Sequence, residues 1–290
     1  MGIVRRIRCW KAGPDRTWRA ATAFGERLEQ AVFCGADGSL CNAMLKGGEF
    51  SGSTKLKGPK MSARFILAVA AFAIGAAPAA HAADAAHPVV IELFQSQGCS
   101  SCPPANANVN ALSLRPDVLA LSFAVTYWDG LGWKDVFAKP QYTERQRDYA
   151  RALGHAQVWT PQVIINGRAD ITGTRMAPLT ALIDANDRGN GGPVVDISGE
   201  SITISGTTAR TVDVWLVRYE PRSIEVPIKA GENVGKTLPH RNIVRELVKI
   251  GRWNGGVGRF ALPAAKLPGL ATAAFVQAGA GGPIIAAARG

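Results

Sequence analysis

The apolar and polar residues of the chain follow two different patterns, and the change between them comes near residue 191. In the first pattern, near-continuous apolar runs are typical of strands in a sheet that is covered on both faces. Stretches of helical length separate these runs, and Asn166-Gly167 is a strong hairpin signal. The predicted order is β-α-β-α-β-β-α, which is an α/β fold. The predicted strands lie at 89–94, 118–126, 162–166 and 169–172, and the helices at about 102–112, 140–153 and 176–186.

After residue 191 the chain changes to short strands in which apolar and polar residues alternate. We predict a C-terminal antiparallel β module over residues 191–290, following a first domain at 83–190. One polar segment of this module, 231–252, is long enough to be a functional loop or a pair of strands, and it contains Asn233 and His240. The other predicted strands lie at 194–197, 201–205, 211–219, 223–227, 273–277 and 284–288.

Residues 61–82 have the three parts of a secretory signal peptide. A short basic start with Arg64 precedes an apolar run at 65–80, and Ala80-His81-Ala82 is a cleavage site of the A-x-A type. A signal anchor or a buried helix is the alternative, but the glycine, proline and alanine residues of this run suit cleavage better than spanning. We expect a mature chain that begins at Ala83 and is periplasmic or secreted, with membrane contact only during export.

Sixty residues precede this signal, and they show no sustained apolar periodicity. Because a signal peptide belongs at the N-terminus, we interpret residues 1–60 as an upstream extension from a start codon assigned too early, disordered rather than folded. Three of the five cysteines lie there, so Cys99 and Cys102 would be the only thiols of the mature protein.

The formal charge of +11 is concentrated at the N-terminal end. Residues 1–60 contribute +6, whereas residues 83–290 contribute only +4. No run of lysine and arginine interleaved with aromatic residues occurs in the latter part. The sequence therefore predicts no nucleic-acid partner.

The chemistry of the chain centres on Cys99-Ser100-Ser101-Cys102, at the end of the first apolar strand and the start of the first predicted helix. Two intervening residues let the sulfurs meet, and a helix N-terminus lowers the pKa of Cys99 by favouring its thiolate. A structural disulfide is the plain alternative, but so short a loop gains only about 2 kcal/mol, against about 4.7 kcal/mol for a hundred-residue loop. A zinc site needs a second pair of ligands, which the sequence does not supply, so we favour redox chemistry without metal or cofactor.

This arrangement, with Thr160-Pro161 before a strand and a closing hairpin and helix, resembles the thioredoxin fold. More closely, the chain resembles DUF1223, a family of secreted bacterial proteins with a thioredoxin-like domain and a C-terminal β-rich extension. The resemblance spans about residues 88–290. It rests on the stretch from Ser96 to Pro104, on Tyr127-Trp128-Asp129, on Gly132-Trp133 and on Thr160-Pro161-Gln162.

The resemblance implies roles for individual residues. Cys99 would be the exposed attacking thiolate and Cys102 the buried thiol that resolves the mixed disulfide. Pro161 falls where thioredoxin-like proteins carry a cis-proline, although the sequence alone would favour an ordinary trans-proline. The aromatic residue that commonly precedes the first cysteine is replaced by Gly98, and the expected redox potential lies anywhere from about −270 to −120 mV.

Glu92 interrupts the apolar strand seven residues before Cys99, on the face of Val90 and Phe94. If it is buried, its pKa should rise, and it would exchange a proton with Cys102. The alternatives are a position facing solvent or an ion pair with a basic residue.

A group of aromatic and acidic residues follows the second strand, at the edge where open α/β sheets bind ligands. We expect Trp128, together with Thr160 and Trp159, to contact the substrate. Trp128 and Trp133 would otherwise cap the core, and Asp129 would form a turn. The neighbouring Asp135 has the same two interpretations.

The sequence therefore predicts an exported thiol–disulfide oxidoreductase that acts on protein thiols or disulfides with a redox partner of unknown identity. The alternative is a redox-inert secreted binding protein in which Cys99 and Cys102 form a structural disulfide. A copper-handling protein is a third reading, and it would need a histidine such as His155 close to the cysteines.

Overall fold

The computed structural model describes residues 82–290 and, near the N-terminus, the backbone of an antiparallel strand pair, β1 (Cys9–Lys11) and β2 (Trp18–Ala20). Apart from this strand pair and Ala82, the predicted extension at 1–60 and the predicted signal peptide at 61–82 lie outside the described residues. Within the part of the chain that the structure describes, no helix is both long and apolar enough to cross a membrane.

The predicted order of elements is confirmed over residues 89–185. It consists of β3 (Val89–Gln95), α1 (Cys102–Leu112), β4 (Val118–Ala124), α2 (Pro140–Leu153), β5 (Gln162–Ile165), β6 (Ala169–Ile171) and α3 (Met176–Ala185). The remaining strands are β7 (Val194–Ser198), β8 (Ser201–Ser205), β9 (Val212–Glu220), β10 (Ile224–Pro227), β11 (Thr237–His240), β12 (Ile243–Trp253), β13 (Gly258–Ala261), β14 (Ala271–Gln277) and β15 (Ile284–Arg289).

One large mixed sheet has the strand order β15-β14-β9-β12-β4-β3-β5-β6. Strands β3 and β4 are parallel, β5 lies antiparallel to β3, and β12 runs beside β4 in the parallel sense from the pair Ile243 and Ser122. The mixed α/β class is therefore as predicted. The strands after residue 191 do pair antiparallel, but four of them, β9, β12, β14 and β15, continue the sheet of the first part.

Two smaller sheets complete the C-terminal part. Strands β13, β8 and β7 form an antiparallel sheet that packs on the large sheet through an apolar cluster including Ile202, Val214 and Val276. Strands β10 and β11 form a two-stranded ribbon that packs on Ala124 and Phe137. This ribbon brings the polar segment after residue 231 to the end of β4.

Strand β3 is buried on both faces, which explains its continuous apolar pattern. Ile91 and Leu93 face a core that α1 and α3 cover, whereas Val90 and Phe94 face a second core that contains α2 residues such as Tyr142. The two faces of β3 are therefore separate environments for the polar side chains that it carries.

All but the last residue of the eleven-residue strand β12 lie inside the segment 231–252, which the sequence left open as a loop or a strand pair. Two register shifts, at Val244/Glu246 and Lys249/Gly251, break the alternation of apolar and polar residues that marks a strand. The sequence pattern therefore gives no clear signal for the strand that joins the two parts of the large sheet.

Candidate functional site

A disulfide joins Cys99 and Cys102, whose Cα atoms are 5.4 Å apart. Strand β3 ends at Gln95, a short loop follows, and Cys102 is the first residue of α1. Two prolines follow in the first turn of the helix, where a missing N–H costs little. The chain thus builds the strand–Cys-x-x-Cys–helix layout locally.

Both cysteines are buried, with exposed fractions of 0% for Cys99 and 1% for Cys102. The expectation that Cys99 is exposed is therefore wrong for this disulfide-bonded form. Ser100 and Ser101 between them are exposed. The surface at this point consists of the two serines, and the sulfurs lie beneath it.

Residues 231–236, which we call the covering segment, hold the cysteine loop in place. The Asn233 side chain donates hydrogen bonds to the carbonyl oxygens of Gln97 at 2.9 Å and Cys99 at 2.8 Å. The Glu232 carboxylate accepts a hydrogen bond from the Ser100 N–H at 3.0 Å. Asn233 is fully buried and also accepts a hydrogen bond from the Lys236 ammonium. A segment from the C-terminal part of the chain is therefore bonded to the backbone of the cysteine loop.

The covering segment packs against the loop that follows β4. Gly231 has a φ of +76°, and a Cβ at this position would lie 3.2 Å from the Cβ of Trp133. The Trp133 indole N–H donates to the Gln97 side-chain oxygen at 2.9 Å. Trp133 thus supports the cysteine loop, which favours the structural interpretation of this residue over a substrate contact.

Asp135 is a buried carboxyl group that fixes the same loop. One carboxylate oxygen accepts the N–H of Gln97 at 2.8 Å, and the other accepts the N–H of Phe137 at 2.9 Å. Burial raises the pKa of Asp135 to about 6, and the two hydrogen bonds limit the rise. Its own N–H donates to the carboxylate of Asp129 at 3.1 Å, six positions earlier, which is a longer link than the local turn expected at Asp129. Ionisation of Asp135 is therefore harder in the folded protein than in water, and the group gains a proton when the pH falls below about 6.

Replacing Asp135 by asparagine should remove a pH dependence of stability. Because its folded pKa of about 6 exceeds the ordinary value of 3.8, its contribution is fully present below about pH 4 and is lost as the pH rises through about 6. We expect the free energy of unfolding of the wild type minus that of Asp135→Asn to fall by about 3 kcal/mol between about pH 4 and pH 7. Urea unfolding at a series of pH values measures this difference.

The wild type must be compared with the variant at each pH, because His240 changes the stability of both with pH in the opposite direction. Burial lowers the pKa of His240 to about 4, so its contribution to stability is lost as the pH falls from about 6.5. The control is Asp117→Asn, since a hydrogen bond from Arg115 lowers the pKa of Asp117 and reverses the trend. A difference for Asp135→Asn that stays flat with pH would show that burial of this carboxylate costs nothing.

On the other side of the disulfide lies the loop before β5. The peptide bond between Thr160 and Pro161 is cis. The Ser101 hydroxyl is 3.4 Å from the Thr160 carbonyl oxygen and 3.3 Å from the sulfur of Cys99. The indole N–H of Trp128 donates to the Thr160 hydroxyl at 2.8 Å. The structure therefore brings Trp128, Thr160 and Pro161 to the cysteine loop.

Trp128 also packs against the cysteine loop, since a Cβ added at Gly98 would lie 3.7 Å from the Cβ of Trp128. Trp159 has different neighbours. Its ring packs edge-to-face on His155 with centroids 4.9 Å apart, and its carbonyl oxygen accepts a hydrogen bond from Gln146. Contact of Trp159 with a substrate stays a prediction.

Glu92 has partners that the sequence did not identify. Its carboxylate accepts hydrogen bonds from Arg145 at 2.8 and 3.0 Å and from the hydroxyl of Tyr149. Both members of the ion pair are buried. Glu92 faces α2, on the opposite side of the sheet from α1 and Cys102. The alternative of an ion pair with a basic residue is the observed one, and proton exchange with Cys102 has no contact to support it in the described residues.

Within residues 82–290, the partners of His155 and His240 are not the cysteines. His155 lies 3.0 Å from a carboxylate oxygen of Asp170, and His240 lies 3.2 Å from the side-chain nitrogen of Asn106 in α1. Within residues 82–290, no cluster of three or more histidine, cysteine, aspartate or glutamate side chains is placed to hold a metal ion. The described residues therefore provide no site that would support the hypothesis of a copper-handling protein.

Comparison with known proteins gives a family and a solved relative. The family model DUF1223, described as a protein of unknown function, matches residues 90–277. A crystal structure of a protein from Agrobacterium tumefaciens is similar with a TM-score of 0.60 and 33% sequence identity, over 71% of this chain and 94% of that one. HBP35 of Porphyromonas gingivalis is similar with a TM-score of 0.49 and 14% identity, over 70% of this chain and 74% of that one. None of the curated proteins matches this chain.

Proposed function

The chain belongs to the DUF1223 family, and from its cysteine site we propose that it is an exported thiol–disulfide oxidoreductase. The observation that carries this proposal is the Cys99–Cys102 disulfide at the first turn of α1. Thiol–disulfide exchange needs two sulfurs that can bond to each other and then separate, and this spacing provides them. The proposed partners are protein thiols or disulfides and a redox protein of unknown identity.

The scaffold that we propose for this activity is thioredoxin-like. The order β3-α1-β4-α2-β5-β6-α3, and the position of Thr160-Pro161 beside the cysteine loop, support this reading. We also propose a periplasmic or secreted location, which rests on the signal peptide predicted at 61–82. An oxidising compartment would suit a chain in which the two cysteines of residues 82–290 form a disulfide.

In the proposed exchange, a substrate thiolate attacks the sulfur of Cys99, and the Cys99–Cys102 bond breaks. The electron pair of that bond leaves with Cys102 as a thiolate. A second thiolate of the substrate then attacks the substrate sulfur that is bonded to Cys99. This step releases Cys99 as a thiolate and leaves a disulfide in the substrate. The reverse sequence reduces a substrate disulfide.

The surrounding residues would assist the sulfurs at this step. The hydroxyl of Ser101, 3.3 Å from the Cys99 sulfur, can donate a hydrogen bond when that sulfur becomes a thiolate. The positive end of the α1 dipole favours negative charge at Cys102, but Pro103 and Pro104 supply no N–H there and the N–H of Cys102 is bound by the carbonyl oxygen of Cys99. Because both cysteines are buried, a substrate reaches the sulfurs only when the residues around them move, and the covering segment, which is bonded to the cysteine loop, is the part that we propose moves.

The test is a reduction potential with a trapping experiment. Equilibration of the full chain with glutathione should give a Cys99–Cys102 potential between about −270 and −120 mV. Cys102→Ser should form a stable mixed disulfide with an unfolded test protein that carries a disulfide. Its Cys99 thiolate attacks that disulfide and expels one substrate thiol, and no Cys102 thiolate remains to release Cys99. The matched control, Cys99→Ser, should form far less of it. Equal trapping by the two variants would contradict the assigned roles.

The second candidate is a redox-inert binding protein with a structural disulfide. The full burial of both cysteines favours it, as does the hold of Asn233 and Glu232 on the loop. A potential below about −300 mV, with no mixed disulfide from either variant, would establish this reading and exclude the exchange enzyme.

A further inference from the structure

A cavity of about 330 Å³ lies between the start of α2, strand β12 and the loop that follows β13. Its walls carry three cationic side chains, Lys139, Arg245 and Lys266, and apolar surface from Leu247 and Leu267. A concave site of this size with a few polar groups on an apolar wall is typical of small-molecule binding. The cavity contains neither cysteine, so it is separate from the site proposed above.

The three cations of this cavity are only partly neutralised by the protein, since Glu246 acts on Lys139 and Glu220 lies near Arg245. In the described residues, none of them lies within ion-pair distance of a carboxylate. Glu246 also lines the cavity, but one of its oxygens is bound by the backbone N–H of Lys266 at 2.9 Å. Three positive charges and one negative charge leave the cavity with a net charge of about +2.

The crowding of these cations affects Lys139, whose side chain is half-buried. Its pKa is lowered first by burial and then by the nearby positive charges of Arg245 and Lys266, with Glu246 acting in the opposite direction. An anion in the cavity would remove this repulsion. The positive charges around Lys139 therefore repel one another, and a negatively charged ligand would reduce this repulsion.

The cavity is also preorganised by contacts that hold its cationic groups. The ammonium group of Lys139 donates to the carbonyl oxygen of Arg245, and the side-chain nitrogen of Gln141 donates to that of Leu247 at 2.7 Å. The guanidinium of Arg245 lies over the ring of Phe137, 5.3 Å from its centroid. Groups that are already ordered lose less entropy when a ligand binds.

The position of the cavity in the sheet agrees with this inference. Strand β12 runs parallel to β4 from Ile243 and continues past Ala124, the last residue of β4. Lys139 follows at this end and donates its backbone N–H to the carbonyl oxygen of Ala124. Ligands of open α/β sheets bind outside the carboxyl ends of strands, and the cavity lies beside that end of β4.

We propose that this cavity binds a small organic phosphate. A phosphate monoester carries a charge of about −1.5 to −2 at neutral pH, which matches the net charge of the cavity. Its oxygens would lie among Lys139, Arg245 and Lys266, and its carbon skeleton would lie against Leu247 and Leu267. The last two residues of the set, Lys266 and Leu267, belong to an exposed loop that gives a ligand access.

Phenyl phosphate is the probe that tests this proposal, by calorimetric titration of the full chain at constant ionic strength. We expect saturable binding to the wild type and about tenfold weaker binding to Arg245→Gln and to Lys266→Gln, since each loses one charge-assisted contact. Arg259→Gln, at an exposed cation on β13 outside the cavity, should bind as the wild type does. Absence of binding, or equal binding by all four proteins, would overturn the proposal.

Vesicles that contain phosphatidic acid, with phosphatidylcholine vesicles as the blank, separate the two sources of a phosphate monoester. Binding of phenyl phosphate alone identifies a soluble ester as the ligand class, and vesicle binding that Arg245→Gln weakens identifies a lipid headgroup. The thermal midpoint of each variant shows that it is folded. No step of this test depends on the state of Cys99 and Cys102.

Discussion

Replacing Arg145 by methionine should lower the free energy of unfolding by about 3–5 kcal/mol, the usual cost of removing one partner of a buried ion pair. The side chains of Arg145 and Glu92 are only 6% and 1% exposed. The variant would leave the Glu92 carboxylate in the core with only the hydroxyl of Tyr149 to stabilise it. Chemical denaturation of the full chain measures the loss.

Further contacts of Arg145 make a loss at the upper end of this range the expected one. Its guanidinium donates to the side-chain oxygen of Gln277 at 3.0 Å, which ties α2 to β14. It also lies within 5.0 to 5.9 Å of the ring centroids of Phe123, Tyr149, Trp215 and Phe275. One side chain thus connects strands on both sides of residue 191.

Two further variants separate the charge effect from the loss of helix packing. Arg147→Met, on the same helix, removes an exposed ion pair with Glu144 and should cost at most about 0.5 kcal/mol. Adding Glu92→Leu to Arg145→Met should recover much of the loss, because no unpaired carboxylate then remains in the core. If Arg145→Met costs as little as Arg147→Met, the buried pair is not what holds the two parts of the sheet together.

The ion pair of Glu92 and Arg145 could be predicted from the sequence only in part. Glu92 was conspicuous because one charge stood in an apolar strand, but its partner lies 53 positions away on a helix that reads as polar. A signal for that partner existed in the helix. Tyr142, Arg145, Gln146 and Tyr149 are spaced as one helical face, and all four are buried. A helix face made of aromatic and hydrogen-bonding side chains is not recognised as a buried face when only apolar residues are counted.

Local features were the predictable ones. The strand, the Cys-x-x-Cys and the helix follow one another in the chain, and the first part of the fold repeats such local units. Asn233 contacts Cys99 from 134 positions away, and no periodicity or motif records that contact. The exposure predicted for Cys99 was wrong, and contacts of this long-range kind are ones that a local sequence pattern does not contain.

Asn233→Ala should speed the reduction of the Cys99–Cys102 disulfide by dithiothreitol by about 30- to 100-fold. The variant loses two hydrogen bonds from a buried amide to backbone carbonyls, worth about 2–3 kcal/mol together. When local opening is fast, the reaction rate follows the population of the open form, and each 1.4 kcal/mol changes it about tenfold. Trapping of free thiols at timed intervals measures the rate.

The control for this variant is Asn166→Ala. Asn166 is also fully buried, accepts the N–H of Val90 at 2.8 Å and donates to the carbonyl oxygen of Asn186 at 2.9 Å, but it lies by the first residues of β3, away from the cysteines. It should lower global stability while leaving the reduction rate within about threefold of the wild type. Glu232→Gln, at an exposed side chain, should give a smaller acceleration than Asn233→Ala.

The rates also decide how the two candidate functions relate to the fold. If Asn233→Ala accelerates reduction and the control does not, the covering segment limits access to Cys99, and a substrate must displace it before exchange. If both variants accelerate reduction equally, the disulfide becomes accessible only through global unfolding. A disulfide of that kind is structural, and the function of the chain would then lie elsewhere. Wild-type rates in both variants would mean that the segment covers the sulfurs without controlling their reactivity.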